Sequence, residues 1–315
     1  MELRDLGYFL TVVGHGHIGR AADALGLTQP ALTKCIARLE RELDARLLER
    51  TPKGVTVTAF GAQVARHATR VRAAMDDATR ELTELRTGTS GHVRIGTGHA
   101  IAQHLLPIVC AKLLMQTPGI TLDITSGTGR GLVPALRDGR LDMVLTGVPI
   151  AREAGLRHEV IMEDHVVVIA GKNHPLHRRK VISLELLARQ RWVLSKSGSL
   201  LGDWLDQRWR EAGIAPPAAT VESDSIATLL GIVASSDLLT FASWSTIRHS
   251  ALHMALQPLA GSPLKWRRKL GATYRDGGYL SSAARKVIDL LRDVAQRESA
   301  LTRRRPSRCV SSPVK

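Results

Sequence analysis

The stretch LTQPALTKCIARLE, Leu27 to Glu40, decides how the first sixty residues are read. Leu32, Ile36 and Leu39 recur at helical spacing and form one apolar stripe, while Gln29, Thr33 and Lys34 share a polar face. Thr28 is a good N-cap, and Pro30 falls in the first turn, where its missing N–H costs nothing. Upstream, IGRAADALGLTQPALTKCIA (Ile18 to Ala37) places small or apolar residues at Ala21, Ala22, Leu25, Leu27, Leu32 and Ile36, with Gly26 between two helical stretches. That is the layout of a helix-turn-helix. Ala22 is small where the second helix crosses close over it, and Gly26 allows the left-handed residue that joins the helices. A helix capped in this way can present its N-terminal end to a phosphate or a major groove. Gln29 could then pair with adenine, Thr33 touch a thymine methyl or a phosphate, and Lys34 reach guanine or phosphate. An ordinary α-hairpin with a polar face would show the same spacing, so the residues that follow matter.

They read LLERTPKGVTVTAFG, Leu47 to Gly61. A turn at Pro52 to Gly54 leads into the alternating strand Val55-Thr56-Val57-Thr58, and a short hairpin after a recognition helix is a wing. Arg50, Thr51 and Lys53 would lie against the DNA backbone or minor groove. The framework RAA…L…TQPALT…I..LE..L..RLLERT covers nearly all of the first 65 residues without a gap and strongly resembles the N-terminal domain of LysR-type transcriptional regulators. The resemblance implies a winged helix-turn-helix in which Thr28, Gln29, Pro30, Thr33, Lys34 and Arg38 belong to the DNA-reading helix and Arg50, Thr51 and Lys53 to the wing. Two departures stand out. GHGHIG (Gly14 to Gly19) replaces the acidic residue or glycine followed by Ser-Phe-Thr that is usual there, so no hydroxyl is available for a phosphate contact. Cys35 stands where a longer polar residue is common, and as a small free thiol it reads as packing.

The chain has 315 residues, 44% of them hydrophobic, which suggests two or three domains with ordinary cores. No run approaches the eighteen or so apolar residues of a membrane span, and MELRDLGYFLTVV lacks the apolar core of a signal peptide. Cys35, Cys110 and Cys309 are odd in number without CxxC spacing, which fits a reducing compartment. The expectation is a cytoplasmic protein with no membrane partner. The net charge of +15 is concentrated at one end, since the last 55 residues hold 14 of the 44 basic but only 4 of the 29 acidic side chains. LTRRRPSRCVSSPVK, residues 301–315, reads as a basic disordered tail. Overall charge therefore does not identify the head; pattern does.

Residues 59–88 hold Gly61, Val64, Ala68, Val71, Met75, Ala78, Leu82 and Leu85 in a 3-4 alternation among Arg, Asp, Thr and Glu. Such a narrow stripe, on a helix on the order of 40 Å long, suits a helix–helix seam. The resemblance agrees, implying a linker helix that dimerises two heads through residues 61–85, with a tetramer of two such dimers as a further option. RTGTSGH (Arg86 to His92) reads as the joint. Beyond it VRIGT, ITLDIT, LDMVLTG, HVVVIAG, RWVLS, DLLTF and KLGATY alternate with helical stretches, an α/β texture with a largely parallel sheet. The resemblance implies a two-lobed, periplasmic-binding-protein-like (type 2) effector domain over residues 91–300. Lobe I would take residues 91–161 and 267–300, lobe II residues 162–266, with crossings near Glu159–Glu163 and Gly261–Arg268.

In open α/β sheets ligands sit at the carboxyl ends of strands beside helix N-termini. Hydroxyls and glycines occur there at Thr97 and Gly98, at Ser126, Gly127 and Thr128, at Thr146 and at Ser195. Free N–H groups with neutral hydroxyls suit a carboxylate, so these residues are expected to hold a small organic-acid effector, although Ser and Thr also cap helices for structural reasons. No resident cofactor is expected, only this co-inducer. Gly127 to Gly131 lacks nucleotide-loop spacing. His249 and His253 stand at i,i+4, which can chelate a metal on a helix, but no third ligand is indicated. No nucleophile–base–acid set stands out, so an enzyme is not expected. The expected partners are operator DNA, a small-molecule effector, a second copy and, by resemblance, RNA polymerase. The rival readings are an architectural DNA-binding protein without ligand and a solute-binding protein with an N-terminal interaction module.

Overall fold

The computed structural model describes residues 2–52, 54–87, 91–149, 153–195 and 200–304. A first compact unit ends at Thr87, and a second takes up almost all of the remaining chain.

The first unit opens with α1 (Leu3–His15), α2 (Ile18–Leu25) and α3 (Gln29–Glu42), followed by the antiparallel pair β1 (Leu48–Thr51) and β2 (Gly54–Val57) and by the 29-residue α4 (Ala59–Thr87). Leu6, Phe9 and Val12 of α1 meet Ala21 and Ala22 of α2 and Leu32, Ile36 and Leu39 of α3 in one apolar cluster. The small Ala21 and Ala22 are essentially fully buried, as close helix crossing demands. Gly26 caps α2 at φ 65°, and Thr28 Oγ1 accepts from Ala31 N at 3.4 Å to start α3. His17, in the departing GHGHIG stretch, caps α2 by accepting from Gly19 N through Nδ1 at 3.1 Å.

The wing is tied down at both ends. Glu40 Oε1 accepts from Leu47 N at 2.7 Å and from Leu48 N at 3.2 Å, holding the end of α3 to the hairpin. Val55 N donates to Gly16 O at 2.8 Å, and a Cβ on Gly54 would stand 2.2 Å from that oxygen. Gly54, at φ 137°, is thus needed for close approach as well as for the turn. Gly61 plays a similar part in α4, where a Cβ would reach within 2.1 Å of Leu47 O.

The second unit begins with β3 (His92–Thr97), α5 (His99–Ala102), α6 (Leu105–Gln116), β4 (Thr121–Ser126), α7 (Gly129–Arg137) and β5 (Met143–Gly147). The 16-residue β6 (Leu156–Gly171) then leads through a 3-10 turn (Pro175–Arg178) to α8 (Leu184–Ala188), β7 (Trp192–Leu194), α9 (Leu200–Glu211) and β8 (Ala219–Glu222). The chain continues with α10 (Ile226–Ala234), β9 (Thr240–Ser243), α11 (Trp244–Arg248), β10 (Leu256–Pro258), β11 (Lys265–Arg275) and α12 (Ser282–Arg304).

The sheet is less parallel than its texture implied. β4, β3 and β5 run parallel, but β11 lies antiparallel to both β5 and β6, and β9 and β10 pair antiparallel with β6. The long strands β6 and β11 pass through both lobes side by side. Lobe I gathers around α6, α12 and the β3–β5 sheet, lobe II around Trp192, Trp209, Leu239 and Phe241. The second crossing falls inside β11, where pairing to β5 starts at Leu270, just past the expected stretch Gly261–Arg268. Gly261 instead packs in lobe II, where a Cβ would come within 2.7 Å of Lys180 O. At the lobe boundary Leu270 faces Met162 while Gly271 faces Val160, so Ile161 is the extra residue of a bulge. Glu159, next to it, accepts from the Tyr274 hydroxyl and from Arg285 at 3.0 Å and Arg292 at 2.8 Å, fastening α12 to the crossing strand.

Residues 301–304, expected as the start of the tail, are instead the last turn of α12. Residues 305–315 lie outside the described residues. Among the described residues no helix is long and apolar enough to cross a membrane.

Candidate functional site

The N-terminal end of α3 leaves Thr28, Gln29, Pro30 and Lys34 exposed and Thr33 half-buried, on the side opposite Leu32, Ile36 and Leu39. Arg50 and Thr51 are exposed on β1; Lys53 lies outside the described residues. The helix start offers the positive end of its dipole, with a cation at Lys34; of its first N–H groups, Ala31 N is taken by Thr28 Oγ1 and Leu32 N by Thr28 O. Arg38 has a different situation. Its guanidinium donates to Asp5 Oδ1 at 2.5 Å, and Asp5 is 1% exposed. That hydrogen bond and the carboxylate's charge raise the Arg38 pKa above its ordinary value. Arg38 therefore compensates a buried charge in α1, a role the sequence pattern did not suggest.

In the second unit a cleft of about 260 Å³ opens between the lobes. Of the seven residues expected to hold an effector, Gly98, Gly127, Thr128, Thr146 and Ser195 line it. Thr97 and Ser126 do not. Thr97 is fully buried and donates from Oγ1 to Gly98 O at 3.2 Å, and Ser126 is exposed away from the cleft lining. The pleat explains the miss, because each strand turns only alternate residues toward the cleft and the glycine after Thr97 brings the backbone to it instead. A Cβ on Gly98 would stand 2.9 Å from Thr146 Oγ1, so the glycine keeps that hydroxyl accessible.

The structure adds Arg268, Ser243 and Thr246 to the wall. Arg268 donates to Asp164 Oδ2 at 2.8 Å and lies over the Trp266 ring at 5.3 Å; Asp164 also accepts from Ser243 at 2.5 Å. Arg268 is 19% exposed in its side chain, and its charge is held in place rather than free to fold back. Its signal was present in KWRRKL: in a strand, Trp266, Arg268 and Leu270 share one face while Lys265, Arg267 and Lys269 share the other.

Two further expectations meet the structure here. α11 ends at Arg248, so His249 and His253 do not share a helix. Cys35 and Cys110 are both partly buried free thiols, and burial pushes the Cys110 thiol above its usual pKa.

Residues 3–62 match the family model described as "Bacterial regulatory helix-turn-helix protein, lysR family", and residues 86–296 match "LysR substrate binding domain". GbpR of Azospirillum brasilense, an HTH-type transcriptional regulator, is 30% identical over 243 residues, 76% of this chain and 71% of that protein. A probable hydrogen peroxide-inducible genes activator of Streptomyces viridosporus is 31% identical over 74% of each. Among solved structures, full-length CbnR complexed with its target DNA superposes with a TM-score of 0.64 at 20% identity, covering 93% of this chain and 100% of that one. A full-length OxyR variant from Pseudomonas aeruginosa gives 0.65 at 24% identity, covering 94% and 95%.

Proposed function

Since the chain belongs to the LysR family and is a transcriptional regulator, not an enzyme, with a DNA-binding and an effector-binding domain, we propose that a small organic anion in the interlobe cleft controls how a dimer of this protein binds operator DNA. The observation that carries the effector class is Arg268, a half-buried, oriented cation in a cleft whose other polar walls are His99, Asp224 and the hydroxyls of Thr128, Thr146, Ser195, Ser243 and Thr246. A carboxylate can accept from the guanidinium N–H groups that Asp164 does not use and from the hydroxyls of Thr128, Thr146 and Ser195. The cavity volume suits a molecule of metabolite size. Thiol-based sensing has less support, since burial keeps the Cys110 thiol protonated at neutral pH.

For the effector to act, it must bind one arrangement of the lobes better than another, and a coupling of about 1–3 kcal/mol is ordinary. The dimer reading rests on α4, where Val71, Met75 and Leu82 are 39%, 52% and 67% exposed in a single chain. The upper part of the expected seam is already occupied: Gly61 and Ala68 are buried in the chain's own head, and Val64 packs on it. Leu85 lies outside the described side chains. The partner-facing stretch is therefore Val71 to Leu82, not all of residues 61–85. Tetramer formation and contact with RNA polymerase remain expectations of the family.

A thermal-shift screen of the full chain against sugar acids, aromatic acids, dicarboxylates and amino acids tests the effector class. A ligand at about 100 times its dissociation constant adds roughly 2.7 kcal/mol, enough to raise the midpoint by a few degrees. Thr128→Val with Thr146→Val should weaken the hit while leaving effector-free operator affinity unchanged. Unaltered effector affinity in that variant would remove the cleft from the reading.

A further inference from the structure

Beside the cleft, where α5 and α11 run out of its wall, two histidines and a glutamate from different parts of the chain converge. His104 sits on the junction of α5 and α6, Glu298 on α12 and His249 just after α11. The first two belong to lobe I, and the third follows an element packed in lobe II. His104 Nε2 and His249 Nε2 each lie 3.4 Å from the same atom, Glu298 Oε2. The three ligand atoms all fall within 4.8 Å of one another. The rings are stacked, with centroids 3.3 Å apart and planes 10° from parallel.

From this geometry we propose that His104, His249 and Glu298 form a binding site for a zinc-class divalent cation that bridges the two lobes next to the effector cleft. The hydrogen bonds set the donor chemistry. His249 Nδ1 is 2.8 Å from Ser245 O, and a carbonyl only accepts, so Nδ1 carries the proton and the neutral ring offers a lone pair at Nε2. That lone pair faces a carboxylate oxygen, which is also an acceptor. His104 Nε2 is buried without a hydrogen-bond partner and faces the same oxygen. Either a proton on His104 Nε2 or a cation must stand among these atoms, and a divalent cation serves all three at once.

The dimensions fit the ion. Zinc–nitrogen and zinc–oxygen bonds of about 2.0–2.2 Å at tetrahedral angles place ligand atoms roughly 3.3–3.5 Å apart. Two of the three edges of this triangle are 3.4 Å. The rings must splay from their stack to aim both lone pairs at one point, a side-chain rotation that leaves the backbone in place. The Nδ1–H donation of His249 to a carbonyl is the arrangement that orients metal-bound imidazoles. Three protein ligands leave the fourth position for water or a small anion. An ion held by both lobes favours the lobe arrangement that brings His249 to His104, and so biases the same motion that an effector in the cleft would use.

The test uses untagged, full-length protein freed of metal by chelation, titrated with Zn2+ against a chromogenic chelator and with Co2+ followed by its visible absorption. One equivalent per chain is expected, with Co2+ bands of tetrahedral or five-coordinate intensity. Loss of a residue that merely orients a ligand typically weakens metal binding about 10–100-fold, so His104→Ala, His249→Ala and Glu298→Gln should each weaken it by at least about 100-fold. His253→Ala, whose exposed ring lies outside the cluster, should leave it unchanged. Each variant is compared by circular dichroism, and His249, half-exposed, is the substitution the fold tolerates most readily. Failure to bind a stoichiometric ion, or equal binding by His249→Ala and the parent, overturns the site. A cluster that instead only takes up a proton, seen as imidazole titration with no metal uptake, overturns it as well.

Discussion

Arg38 shows how a residue in a recognition helix can serve the fold. Asp5 is nearly fully buried, and Arg38 is its charge partner. Removing one partner of such a pair leaves a buried charge uncompensated, at a cost reduced here because the guanidinium is 43% exposed. Arg38→Ala should therefore lower the urea midpoint of the head. Asp5→Asn in the same background should recover much of that loss; if it recovers nothing, the pair is not what Arg38 contributes. Lys34 is exposed at the same helix and makes the opposite prediction. Lys34→Ala should leave stability within about 0.5 kcal/mol and flatten the salt dependence of DNA binding by about one unit for each phosphate it no longer neutralises. Gln29→Ala should relax base preference with little change in that slope, measured on operator variants of one length.

At the scale of elements, α4 divides into two halves with different work. Near its start Thr58 Oγ1 accepts from Gly61 N at 2.9 Å, and the bare Cα of Gly61 lets the helix lie against the Leu47 carbonyl. Further along, Val71, Met75 and Leu82 are exposed in a region otherwise rich in Arg, Asp and Glu. Met75→Glu with Leu82→Glu should shift sedimentation toward monomer and weaken binding to a two-half-site operator, with unchanged helix content. A dimer of wild-type stability in that variant would place the interface elsewhere. The heptad-like period over residues 61–85 was legible, but a period shows only that a face is apolar. Which part of it the chain covers itself depends on where β1 ends and the head packs, information that lies outside the helix.

At the scale of the effector domain, pH acts through buried histidine. His174 is 8% exposed; its Nε2 donates to Asp237 O at 3.1 Å, and its Nδ1 accepts from Leu176 N at 3.2 Å. Burial lowers its pKa from the usual 6.5, with His177 adding to the effect and Asp237 opposing it. Between the lowered pKa and 6.5 the unfolded chain binds more protons than the folded one, so stability rises with pH in that window and flattens above it. Urea midpoints should fall as pH drops from about 7 to about 5. His174→Asn, which keeps a side-chain acceptor near Leu176 N, should reduce that fall relative to the parent protein. An identical fall in both would assign the effect to other groups.

What the sequence determined by itself was local. The caps at Thr28 and Gly26, the stripe of Leu32, Ile36 and Leu39, the hairpin after Arg50 and the alternation of strands with helices are all set by neighbours a few residues apart, and the head follows from them. The strand-end glycines and hydroxyls Gly98, Gly127, Thr128, Thr146 and Ser195 were legible for the same reason. The tertiary structure decided what distance along the chain hides. Strands β6 and β11 meet across more than a hundred residues, and only their pairing brings Arg268 to Asp164 and into the cleft. Thr97 turned inward because the pleat of β3 put it there, and His249 left His253 to meet His104 and Glu298. Local periodicity reports which faces are apolar; the partners of a charged or ligating side chain depend on topology.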